Sequence, residues 1–387
     1  LSYAFPGGGC PTDSRVCGIQ ERKMDEEPLI LLTFGCVPAQ PFLTDMVYPF
    51  PFLSYSSSGG CMERRKKVVV LATGGTIAGE GRPGDATDYI PGLLPISAIA
   101  SKIKGLDEVA RLEEVQIANI NSDDITSSLW LKLASTINTL SKDDSIDGFV
   151  ITHGTDTMEE TAYFLHLVLK TDKAVVVTGA MRPSTATSAD GPMNFYQAVT
   201  VAASKEARGM GVLCVFSDSI YSARDFQKLS TTSVTAFGGR DFGMMGYVLD
   251  RKVLLYNMSL KPHTTKSEFS IDGIKTLPKV GILIFHVDAD PDLIYAASKN
   301  ADGLVIVGAG NGNYSIKYNE VIGKLSIPVV RSSRIGNGMI VPDKTFDKWG
   351  NIILGDNLAP TKARILLQLA LTKTRDVEKI REYFKKY

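Results

Sequence analysis

The chain has 387 residues, a length that fits two domains better than one. Its 42 lysines and arginines balance 42 aspartates and glutamates, which excludes the basic footprint of a dedicated nucleic-acid binder. With 44% hydrophobic and 22% charged residues extensive disorder is excluded too, and no run approaches the ~18 apolar residues of a membrane-spanning helix.

Residues 1–61 read as an irregular extension outside the fold, rich in glycine, proline and serine and without a helical or alternating period. Within it, an apolar stretch at 29–34 followed by Val37-Pro38-Ala39 has the outline of an export signal, yet Asp25, Glu26 and Glu27 are acidic where such a signal is basic. Met62, followed by Arg64, Arg65, Lys66 and Lys67, reads as a start of translation. The expected location is therefore cytoplasmic if the protein begins at Met62, and periplasmic or secreted if the first 61 residues hold a real signal. Beyond that point β-branched runs at 68–72, 149–152, 174–178, 212–216, 280–285, 304–307 and 328–331 alternate with helical spacing at 159–170, 194–207, 293–299 and 361–372. Strands bounded by glycine or proline and alternating with helices predict α/β architecture. The expectation is a larger N-terminal domain (62–256) with a doubly wound, mostly parallel sheet, a polar linker (257–278), and a smaller C-terminal α/β domain (279–387).

Four of the five cysteines lie in the first 61 residues, and Cys214 sits in an apolar run where it reads as a small buried hydrophobe. No pair has C-x-x-C spacing, so no disulfide framework or zinc site is expected, and a reducing compartment is permitted.

Four segments carry chemistry. Thr73-Gly74-Gly75-Thr76-Ile77-Ala78-Gly79 follows the first strand, where the ligand crevice of an open α/β sheet lies, and its paired glycines allow close approach to a ligand. It is neither a dinucleotide fingerprint nor a P-loop. His153-Gly154-Thr155-Asp156-Thr157-Met158-Glu159-Glu160 is again strand, turn and helix; Asp156 with Glu159, or Thr157 with Glu160, also fits a capping box. His153 reads as a structural hydrogen-bonding residue, and no second ligand stands at metal spacing. Ser217-Asp218-Ser219 precedes a stretch containing Lys228. Gly179-Ala180-Met181-Arg182-Pro183-Ser184 precedes Asp190, and Arg182 and Asp190 are free either to pair or to meet a ligand.

The segments that begin at Thr73, His153 and Gly179, with Val329-Val330-Arg331-Ser332-Ser333-Arg334, resemble bacterial-type L-asparaginases, nearest to the tetrameric type II group, over a span from about Lys67 to the C-terminus. The resemblance implies an amidohydrolase converting L-asparagine to L-aspartate and ammonia, without a cofactor or metal. It assigns Thr76 as nucleophile, forming a β-aspartyl acyl-enzyme, with Tyr89 beside it. It makes Thr155, Lys228 and Asp156 a second, triad-like constellation in which the lysine is a base; which threonine attacks first stays open. It places the substrate among Gly75, Ser122, Asp123, Gly154 and Ala180, with Ser122 on the α-carboxylate and Asp156 on the α-ammonium.

Asp123 stands where many members of that family carry glutamine, so weak glutaminase activity is expected. The span 80–92 reads as a lid. Asp288 is expected to reach the site of a neighbouring subunit, within a homotetramer built from intimate dimers. Two other readings use the same residues: the asparaginase-like subunit of a transamidating complex, and a catalytically silent amino-acid sensor.

Overall fold

The computed structural model describes residues 64–82, 84, 89–90 and 95–387; the readings made on 1–61 and on the Tyr89 side chain lie outside the described residues. The first strand, β1 (Lys67–Gly74), is apolar on successive positions and buried along nearly its whole length. That pattern belongs to a strand covered on both faces rather than one. A 3-10 turn (Thr76–Ala78) leads to a short ribbon of β2 (Glu80–Gly81) and β3 (Tyr89–Ile90), in which Gly81 pairs with Tyr89. Two short helices, α1 (Ile96–Ala100) and α2 (Leu106–Val109), precede β4 (Arg111–Ile120). Thr126 caps α3 (Ser127–Leu140), which buries Trp130, Leu133, Ala134 and Ile137, one stripe of the helix.

Strand–helix units follow: β5 (Gly148–Thr152), α4 (Met158–Val168), β6 (Ala174–Thr178), α5 (Gly191–Ala203) and β7 (Val212–Phe216). Helix α5 begins earlier than its spacing suggested because Pro192, lacking an N–H, is well suited to a first turn. The chain then makes β8 (Ser219–Ser222), β9 (Phe226–Lys228), β10 (Phe237–Gly239), β11 (Gly246–Leu249) and β12 (Lys252–Leu255). The large sheet runs β12-β11-β8-β7-β6-β5-β1-β4, with β4, β1, β5, β6 and β7 parallel and the rest antiparallel. Ser217 and Asp218, both at positive φ, make the tight turn between β7 and β8. Among the described residues strands β9 and β10 pair only with each other.

The second sheet contains β13 (Val280–Ile284), β14 (Gly303–Gly308), β15 (Val329–Ser333) and β16 (Ile352–Leu354), parallel and in sequence order. Its helices are α6 (Asp292–Ser298), α7 (Ile316–Ile322), α8 (Pro360–Leu371) and α9 (Val377–Lys386). The architecture is thus a large, mostly parallel sheet followed by a smaller α/β layer. One buried cluster joins them, running from Val69, Phe149 and Phe164 to Val305 and Leu366. The connecting segment 257–278 is irregular but pinned: Phe269 is buried against Tyr383 and Tyr387, and the Lys170 ammonium donates to the Ser267 carbonyl at 2.5 Å. Among the described residues no helix is long and apolar enough to cross a membrane.

Candidate active site

The large sheet sets the location. After β1 the chain moves to one side, to β4, then returns to the other side, to β5. The connection leaving β1 runs toward β4 and the one leaving its neighbour β5 runs the other way, toward β6, which opens a crevice at their carboxyl ends, as in other open α/β sheets. The residues that follow β4, β1, β5 and β6 in this edge are Ser122, Thr76, Thr155 and Ala180.

Close backbone approach brings them together. Gly75 has φ 85°, and a Cβ there would lie 2.5 Å from the Gly154 nitrogen, so only glycine fits. A Cβ on Gly154 would in turn lie 2.8 Å from Ser122 Oγ. The Asp156 N–H donates to Ser122 Oγ at 3.3 Å, and Thr157 Oγ1 donates to the Ser122 carbonyl at 2.8 Å. Thr76, Ser122 and Thr155 are all buried.

Lys228 arrives from β9. Its Nζ donates to Thr155 Oγ1 at 2.9 Å and to Asp156 Oδ1 at 2.6 Å. The Asp156 side chain is 61% exposed, so the pair faces open space on one side while Thr155 closes it on the other. A hydroxyl held against a lysine amine can pass its proton to that amine once the amine is neutral, and the carboxylate orients the donor.

The capping-box alternative for this segment does not occur. Thr157 is the N-cap of α4 but makes no side-chain cap bond, because its hydroxyl is committed to Ser122. Glu159 instead accepts the Lys228 N–H at 3.0 Å and the Thr361 hydroxyl at 3.2 Å. Glu160 approaches Arg364 at 3.8 Å, and burial pushes its carboxyl pKa up.

His153 lies beneath the loop in a directed chain of bonds. Trp130 Nε1–H donates to Thr161 Oγ1, the Thr161 hydroxyl to His153 Nε2, each at 2.8 Å, and His153 Nδ1–H to the Gly154 carbonyl at 2.7 Å. Indole is only a donor and a carbonyl only an acceptor, so the chain fixes one neutral tautomer. Full burial agrees, pushing the imidazole down to about 4.

Ala180 is buried, and its loop is held from α5. Asp190 accepts the N–H groups of Met181 and Arg182, each at 2.9 Å, and Asn194 Nδ2 donates to the Gly179 carbonyl at 3.0 Å. The Arg182 guanidinium turns to the Ser188 carbonyl at 3.0 Å, so Asp190 serves the backbone and not that cation.

Asp123 is exposed in the 3-10 turn beside Ser122. Asp288 is not brought to this crevice within one chain. It follows β13 in the other sheet, exposed and at φ 58°, and among the described residues no hydrogen bond or ion pair joins it to Thr155, Asp156 or Lys228. Tyr89 is placed by its backbone pairing, in a ribbon tied down where Gly81 N–H donates to Thr185 Oγ1 at 3.0 Å. Among the described residues no group of three or more His, Cys, Asp or Glu side chains is arranged for a metal.

Sequence reasoning missed the role of three residues behind this constellation: Glu159, Thr361 and Lys362. Lys362 is fully buried, its Nζ donating to the Arg224 and Phe226 carbonyls at 2.9 and 2.6 Å, and burial pushes its ammonium down to about 8.

Comparison with known proteins agrees with the architecture. Residues 67–261 match the family model described as asparaginase, N-terminal, and residues 279–384 match the glutaminase/asparaginase C-terminal domain. L-asparaginase 2 of Escherichia coli (strain K12) is 43% identical over 327 residues, 83% of this chain and 93% of that protein. The glutaminase-asparaginase of Acinetobacter glutaminasificans is 40% identical over 333 residues, 84% of this chain and 100% of that one. The crystal structure of a probable cytoplasmic L-asparaginase from Campylobacter jejuni superimposes with a TM-score of 0.80 at 42% identity, covering 84% of this chain and 100% of that one.

Proposed function

The chain belongs to the asparaginase family, and from that premise we propose that it hydrolyses the side-chain amide of L-asparagine with Thr76 as the nucleophile. The observation that carries the reading is Lys228 bridging Thr155 and Asp156 next to the β1 loop. Thr76 Oγ attacks the amide carbon as its proton is relayed through the Tyr89 hydroxyl toward the amide nitrogen. The tetrahedral oxyanion collapses as the nitrogen takes up a proton and leaves as ammonia, and a β-aspartyl ester remains on Thr76. Water then attacks the ester, its proton passing through Thr155 and Lys228 and a proton returning to the departing Thr76 Oγ, which gives L-aspartate and restores the threonine.

In this proposal Ser122 receives the α-carboxylate and Asp156 the α-ammonium, with Gly75, Gly154 and the backbone at Ala180 lining the amide. The span 80–92 acts as the lid that brings Tyr89 to Thr76 and excludes water. Asp123 adds a carboxylate beside Ser122 and makes glutamine the poorer substrate. Asp288 completes the site of a neighbouring subunit in a homotetramer of intimate dimers.

The test is ammonia release from L-asparagine and, separately, from L-glutamine. Turnover of asparagine with a clearly lower kcat/KM for glutamine is expected; equal values would remove the specificity assigned to Asp123. Tyr89→Phe should lower kcat without lowering the melting temperature. Binding of asparagine with no ammonia released from the folded tetramer would convert the reading to that of a sensor.

A further inference from the structure

Strand β9, which carries Lys228, is anchored in the core by its first residue, Phe226, fully buried and stacked on Phe237, whereas Gln227 and Lys228 are half-buried. The strand is three residues long and among the described residues pairs only with β10, itself three residues, in a ribbon outside both the large and the small sheet. A two-stranded ribbon of that size is marginal by itself. Beyond that stack its backbone is held from α8, whose first residues follow Lys228 by more than 130 positions. Thr361 Oγ1 donates to Glu159 Oε1 at 3.2 Å, and Glu159 Oε2 accepts the Lys228 backbone N–H at 3.0 Å. The next residue, Lys362, donates to the carbonyls of Arg224 and Phe226, at 2.9 and 2.6 Å. The backbone of β9 is therefore gripped at its start and its end by two adjacent residues of one helix, one directly and one through Glu159. None of these three side chains is hydrogen-bonded to Thr155 or Asp156; their polar atoms go to the backbone that presents Lys228.

We propose that Thr361, Glu159 and Lys362 are positioning residues for Lys228, so that the C-terminal layer fixes the amine of its own chain's active site. The inference rests on the reading above that Lys228 takes part in the reaction. Its physical content is that Nζ must stand within hydrogen-bond reach of Thr155 Oγ1 at each turnover, and a backbone shift of about 1 Å in β9 is enough to cost on the order of 100-fold.

The experiment is a set of double-mutant cycles on the full chain, with kcat and KM for L-asparagine and the melting temperature read for each variant. Thr361→Val keeps the shape and removes the donor; Glu159→Ala removes the bridge, and Glu159→Gln keeps an acceptor for the Lys228 N–H. Glu159→Ala is expected to lower kcat roughly 10-fold to 100-fold with KM within about 2-fold, Thr361→Val less, and Glu159→Gln to restore most of the loss. In a Lys228→Met background the same substitutions should change the residual rate by less than about 2-fold, because the amine they position is gone. Unchanged kcat in Glu159→Ala and Thr361→Val, or equal losses with and without Lys228, would overturn the proposal while leaving the reaction assigned to Lys228 intact. Wild-type turnover by Lys228→Met would instead overturn the reading itself, and the positioning role with it.

Discussion

At the carboxyl edge of the large sheet the chain places short hydroxyl side chains, Thr76, Ser122 and Thr155, around an open crevice. Along β15 of the small sheet it places Arg331, fully buried and paired at all three nitrogens: Nε and Nη2 meet the two Asp347 oxygens at 2.8 Å, Nη2 also donates to the Val341 carbonyl, and Nη1 to that of Asn311. The strand orders explain the difference. β1 has its sequence successors on both sides, which opens a crevice, whereas β13 to β16 lie in sequence order and never reverse. A polar group at a reversal is left accessible to a ligand; a polar group in a sheet without one has to be satisfied internally, because an unpaired buried charge is costly.

The contrast breaks if activity and stability fail together at both places. Thr155→Val should lower kcat on the order of 10³-fold, measured as ammonia release, with the melting temperature within a few degrees of wild type. Arg331→Met should do the reverse. It strands Asp347 and should cost about 3–5 kcal/mol in urea unfolding, with the kcat of the folded fraction unchanged.

Acid should distinguish the two sheets as well. The folded pKa of His153, about 4, lies below the ordinary 6.5, so between those values the unfolded chain binds the extra proton. Its stabilising contribution is full above pH 6.5 and lost as the pH falls toward 4, up to about 3 kcal/mol. Burial moves His166 and His263 in the same direction, while Glu160, shifted up, offsets part of the loss. His286, in the C-terminal layer, is exposed. The urea midpoint should therefore fall between pH 7 and pH 5, and His153→Gln should flatten that slope. The smallest effect is expected at Gly154→Ala, whose methyl would press on Ser122 Oγ and raise KM for asparagine on the order of 10-fold, read from initial rates.

The apolar strands were legible because burial on both faces leaves a continuous β-branched run, as in β1, β5, β6 and β7. β4 was not, because it is an edge strand: Glu113, Glu114 and Asn119 are exposed and only Ile117 is buried. Helix α9 escaped notice for the same reason, having Ile380 and Phe384 as its buried anchors among charged residues. In the site, glycine-flanked hydroxyls at strand ends announced Thr76 and Thr155 through local pattern. Lys228 gave no local sign, since its partners lie 72 and 73 positions away. Glu159 gave a misleading one, fitting a cap that the fold spends on β9 instead.

Gly75 and Gly154 meet through their main chains, with no side chain between the two loops. The width of the crevice at that point is therefore a dimension of peptide units, fixed by bond lengths and planarity, and side-chain rotamers cannot adjust it. Room for a longer amide has to be found elsewhere, beside Ser122 and Asp123 or in the span after β1. Those flanks are where variation among related chains can retune the substrate while the threonines keep their spacing.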